Sequence, residues 1–246
     1  MNNTEITNKF FLPVAVILAG IFIAGAVIWS GSHPAKAPGT ADDGAIGAPV
    51  VDSKSVKTEG NPFIGKADAP VTIAFWSDFQ CPYCRAVEVG GIPQITIPAA
   101  LPDIIKNYVD TGKVKVVFMD FTFLGNDSIA AALYSHSVWK LYPNKYFEWR
   151  EAVFSSQDEE GDQGFGDPES IDKLDATISG LDAAKIAADV KANTAIYQAM
   201  IDSDMAEAGK MGVTATPSFV IGKQMLAGAY PYAKFQEVID AALKQI

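Results

Sequence analysis

The chain has 246 residues, 49% of them hydrophobic and 20% charged, and a formal net charge of -10. That length holds one sizeable domain with room for an anchor or an insertion. The acidity, with no basic run anywhere, excludes a nucleic-acid binder, which needs clustered Lys and Arg. Two cysteines exclude a multi-disulfide scaffold and a closed structural zinc site, so no metal is expected.

In chain order, residues 10–29 form a run of 20 without a charge. At about 1.5 Å rise per residue it reaches roughly 30 Å, the thickness of a bilayer core. This predicts one N-terminal transmembrane helix, with residues 1–9 as a short cytoplasmic head. Ala24-Gly25-Ala26 also fits a signal-peptide cleavage site, which would give a secreted chain. The apolar run is longer than the usual signal core of about 7–15 residues. Residues 30–58 are rich in Gly, Pro, Ala, Ser and Asp and read as a flexible linker. Folded sequence is expected from about residue 59 to 246.

Residues 71–76 are almost all apolar or β-branched, the pattern of a strand buried on both faces. Cys81-Pro82-Tyr83-Cys84 follows at once, and the chain from Arg85 reads as helical. Gly90-Gly91, Pro93, Pro98 and Pro102 interrupt that helix before it resumes over 103–109. Thr111-Gly112 is a stop, and 114–121 reads as a second buried strand. Residues 126–211 read as helical throughout, with segments near 127–142, 145–155, 168–179 and 182–209. The acids of 158–162 read as a solvated loop; Gln163 stands where a calcium loop needs Gly. Strand character returns at 218–221, Gly222-Lys223 turns the chain, and 225–229 is a partner strand. Pro231 opens a last amphipathic helix. Strands at both ends of a helical block imply an α/β domain carrying an inserted helical subdomain.

The two cysteines sit where a strand delivers them to a helix N-terminus. Cys81 is expected to point outward among unpaired backbone N–H groups, which favour its thiolate. Cys84 lies one turn deeper, and Pro82 suits a first turn because its missing N–H would be unpaired there. Such a pair also fits a local structural disulfide or half of a shared metal site. Thr216-Pro217, just before a strand, is a candidate cis peptide bond.

The run Ala69-Pro70-Val71-Thr72-Ile73-Ala74-Phe75-Trp76-Ser77-Asp78-Phe79-Gln80-Cys81-Pro82-Tyr83-Cys84 resembles the DsbA-like thioredoxin-fold thiol-disulfide oxidoreductases. Residues 108–118 and 212–221 look like two further family segments in the right order, and the likeness spans roughly 60–246. It implies Cys81 as nucleophile, Cys84 as its resolving partner, and Pro217 as a cis-proline packed against them. Thr216 would pair its backbone with a bound substrate chain. No cofactor is implied. The partners implied are exported protein or peptide thiols and a membrane quinone-linked reoxidising protein, with the catalytic domain outside the cytoplasm. Pro82-Tyr83 and Thr216 also occur in isomerase relatives, but those use a separate dimerisation domain, for which 30–58 is too short. A disulfide reductase or isomerase is therefore the alternative, and a non-enzymatic anchored module with a structural disulfide a further one. Two departures stand out. Phe75 sits where many members bury an acid, and residues 88–100 are richer in Gly and Pro than the family's usual helix. Asp78 reads as an exposed turn residue.

Overall fold

The structure, a computed structural model, describes residues 51–246. The expected head, transmembrane helix and most of the linker lie outside these residues. Among the described residues no helix is long and apolar enough to cross a membrane.

Five strands form one sheet: β1 (Phe63–Ile64), β2 (Val71–Ser77), β3 (Val114–Asp120), β4 (Ser218–Ile221) and β5 (Gln224–Ala227). Their order is β1-β3-β2-β4-β5, with β2 parallel to β3 and every other pairing antiparallel. The central β2 is covered on both faces, as its unbroken apolar run requires. Ile73 and Phe75 join one core, while Ala74 and Trp76 join the other. Between β2 and β3 lie α1 (Pro82–Glu88) and α2 (Leu101–Ile104), the latter continuing as a π-helical turn over Ile105–Val109.

The insertion comprises α3 (Asn126–Leu141), α4 (Tyr146–Ser156), α5 (Pro168–Asp175) and α6 (Ala183–Met211). Its helices start and stop on local signals. Asp167 and Asp182 cap α5 and α6 by accepting from the N–H groups of Ser170 and Lys185 at 2.7 and 3.0 Å. Gly212, at φ +74°, ends α6 in the left-handed conformation. The aromatic side chains of α4 form subdomain core: Tyr146, Trp149 and Phe154 are fully buried. The last helix, α7 (Tyr232–Leu243), buries Phe235, Val238 and Ile239 against the sheet.

The fold is thus the α/β thioredoxin arrangement with a helical insertion. Two differences from the sequence reading concern its edge. The two-residue β1 is too short to leave a periodic pattern. Packed chain also starts earlier than residue 59. The N–H of Ser53 donates to the Gly222 carbonyl at 2.8 Å, and Val56 is buried in the second core.

Candidate active site

Strand β2 ends at Ser77, and four residues later the chain enters α1 with Cys81 as its N-cap and Pro82 in the first turn. Both cysteines are free thiols. Across from them the Thr216–Pro217 peptide bond is cis, and it leads directly into β4 beside β2. The Cys81 thiol lies 3.5 Å from the Thr216 carbonyl oxygen, its acceptor. The structure therefore brings Cys81, Pro82, Tyr83, Cys84, Thr216 and Pro217 to one end of the sheet.

The two sulfurs are electrostatically unequal. The Cys81 pKa is lowered from 9.0 to about 7, first by the Cys84 thiol donating to its sulfur. Burial opposes this, while the backbone N–H groups of Cys84 and Tyr83 support it. Cys84 is pushed well up, chiefly by burial and then by Cys81 itself. One thiol is a ready thiolate near neutral pH; the other holds its proton. Cys81 does not point freely outward, however. It is only 4% exposed, because the proline loop lies over it, and Tyr83 at 51% is the open face of the motif.

Asp78 is not an exposed turn residue but fully buried. Its carboxylate accepts from the N–H of Gln80 (2.8 Å), the hydroxyl of Ser128 (2.6 Å), and the N–H groups of Phe123 (3.0 Å) and Leu124 (3.3 Å). Burial raises its pKa, and these four donors pull it back. Phe75 fills its site as an apolar residue, stacked on Phe219 with centroids 4.3 Å apart.

The charges near the motif helix come from elsewhere. Glu88, on α1, accepts from Arg150 Nη2 at 2.6 Å and from Nε at 2.8 Å. Arg150 also donates to Ser77 at 2.7 Å, and its guanidinium lies 4.3 Å from the Phe118 ring centroid. Sequence reasoning missed this buried pair. Its signal was a Glu inside the apolar run Ala86-Val87-Glu88-Val89 and an Arg inside the aromatic stretch of α4.

A fold of this topology, a strand-to-helix dithiol with split pKa values and a cis-proline loop against it define a thiol-disulfide oxidoreductase. A family model described as thioredoxin matches residues 57–241, and the chain belongs to that family, among its DsbA-like members. It is 28% identical over 186 residues to disulfide bond formation protein D of Bacillus subtilis (strain 168). That match covers 76% of this chain and 78% of the relative. The crystal structure of oxidised BdbD from Bacillus subtilis superposes with a TM-score of 0.66 at 26% identity, over 80% of this chain and 98% of that one. The thiol-disulfide exchange protein alpha-DsbA2 from Wolbachia pipientis gives 0.59 at 26% identity, covering 74% and 86%.

Proposed function

We propose that this oxidoreductase introduces disulfide bonds into exported proteins, with Cys81 as the exchanging sulfur and Cys84 as the resolving one. The observation that carries the reading is the split between the thiols, Cys81 near 7 and Cys84 well above its ordinary value. In the oxidised enzyme a substrate thiolate attacks Cys81. The Cys81–Cys84 bond breaks, and Cys84 leaves and takes up a proton. The second substrate thiolate then attacks the substrate sulfur of the mixed disulfide. The substrate disulfide forms, Cys81 departs as a thiolate, and two electrons have moved to the enzyme. A low-pKa Cys81 favours that last departure, because the better-stabilised thiolate leaves faster. Thr216 presents its backbone to the substrate chain, and Pro217 holds that loop against the sulfurs.

The relatives named for disulfide bond formation support the oxidising direction. The uncharged run at 10–29 supports an anchor holding the domain outside the cytoplasm, and the family resemblance supports a quinone-linked membrane partner that reoxidises the dithiol. The test is equilibration of the protein with glutathione buffers, alongside oxidation of a reduced, unfolded substrate protein. Net oxidation of the substrate protein is expected, with a potential less reducing than the roughly -270 mV of thioredoxin. A thioredoxin-like potential with no substrate oxidation would refute the oxidising direction.

A further inference from the structure

Beside the sulfurs lies a cleft whose charge the exchange chemistry does not use. It encloses about 610 Å³ between the loop at 91–94 and the segment 157–160, and Pro82, the residue after Cys81, forms part of its wall. Ile92 and Pro93 make its lining partly apolar. Among the described residues Arg85 is the one cation lining it, and its Nη1 is already committed to the Gln157 carbonyl oxygen at 2.7 Å. Facing it are three carboxylates, Asp158, Glu159 and Glu160. Asp158 is partly engaged, accepting from the Phe165 N–H at 2.7 Å. Glu159 and Glu160 are exposed, and among the described residues neither has an ion-pair partner.

We propose that this cleft receives the polypeptide segment flanking the substrate's cysteine and favours a cationic one, with Glu159 and Glu160 setting the preference. The inference rests on the exchange reading above and names a substrate class for it. Pro82, next to Cys81, forms part of the cleft wall, so the residues on one side of a substrate sulfur held at Cys81 and Thr216 come within reach of the cleft. A lysine or arginine there covers the apolar lining with its stem and meets the carboxylates with its head. Uncompensated carboxylates beside a reactive centre raise the local concentration of cationic segments and repel anionic ones.

The experiment uses the full chain and two-cysteine peptides flanked by three Lys, three Glu or three Ser. Each rate is divided by that peptide's rate with a small disulfide, which removes the effect of charge on the peptide thiol itself. Wild type is expected to favour the Lys peptide over the Glu peptide by about tenfold at low ionic strength, the preference shrinking as salt screens it. In Glu159→Gln/Glu160→Gln the ratio should fall to about two- to threefold, with the Ser peptide's rate unchanged. The control is Asp68→Asn/Asp110→Asn, which removes the same charge from exposed positions at the opposite end of β2 and β3. It should keep the wild-type ratio. An unchanged ratio in the Glu variant, or an equal fall in the control, overturns the proposal. Running the same peptides as disulfides against the reduced enzyme reads the charge preference even if the enzyme proves to be a reductase. Failure of the oxidising direction is thereby distinguished from failure of the cleft assignment.

Discussion

Raising the pH from 6 to 9 should stabilise the reduced enzyme relative to the oxidised one, and Cys81 fixes both the sign and the window. Its folded pKa is lowered from 9.0 to about 7, so its contribution is fully present above the unfolded value and lost as pH falls through 7. At roughly 1.4 kcal/mol per unit, two units amount to about 2.7 kcal/mol at most. At pH 7 less than about 0.5 kcal/mol of this is realised, because half the sulfur is still protonated. Against it stands the disulfide, which restricts the unfolded chain through a four-residue loop worth about 2 kcal/mol. The oxidised form should therefore be the more stable near pH 6, and the gap should close or reverse by pH 9. Cys84 does not interfere in this range, since its raised pKa acts only above the ordinary thiol value. Urea denaturation of both forms at four or five pH values measures the gap directly. A gap that stays constant to within about 0.5 kcal/mol would refute the assignment of a stabilised thiolate to Cys81.

The reduced enzyme should be alkylated at Cys81 with a half-maximal rate near pH 7, read by mass spectrometry; labelling chiefly at Cys84 would reverse the roles. Arg150→Met should cost about 3–5 kcal/mol, because it leaves Glu88 charged and buried, while Glu88→Gln/Arg150→Met should cost less than the single change. Denaturation midpoints decide this, and a larger loss in the double variant counts against it. Asp175 is raised to about 7, mainly by burial, so its contribution is full below its unfolded pKa and lost as pH rises through 7. Asp175→Asn should melt higher than wild type at pH 8 and alike at pH 4.5, and a constant difference across that range would contradict the reasoning. Asp78→Ala, which strands four donors, should lose at least about 3 kcal/mol, while a loss under about 1 would mean that water replaces the carboxylate.

What the sequence discloses about this molecule follows the range over which its signals act. The motif strand, the helix that Pro82 opens, the stop at Gly212 and the cis-proline loop are local, and each is written in neighbouring residues. The four-helix insertion is legible because its breaks fall at Pro143, Gly161–Gly166 and Gly180. The errors at the site are long-range. Asp78 looks like a turn residue because two of its N–H donors lie at Phe123 and Leu124 and its hydroxyl donor at Ser128. Glu88 and Arg150 meet across 62 positions. The covering of Cys81 comes from a loop 135 positions downstream. No periodicity encodes such meetings, so burial of a charged residue was invisible until the fold supplied its partner.

Those long-range contacts also bear on what the insertion does for the chemistry. The thioredoxin core supplies both sulfurs and the proline loop, yet the segment around the motif is held from the insertion side. Gln157 donates through Nε2 to the Phe79 carbonyl at 2.8 Å and accepts from Arg85. Gln80 donates to the Phe165 carbonyl at 2.9 Å, and Ser128 donates to Asp78. Arg150 spans Ser77 and Glu88, the two ends of the segment that carries the cysteines. Because Arg150 and Glu88 neutralise each other at 2.6 Å, their combined field at Cys81 is weak compared with that of a lone buried acid. Phe75, where such an acid would stand, contributes no charge at all. Tuning of the thiol therefore falls to its neighbours on α1, namely the Cys84 thiol and the first N–H groups of the helix. The buried pair holds the helix that presents them, so loosening α4 should displace those donors together and shift the Cys81 pKa without changing any group in contact with the sulfur.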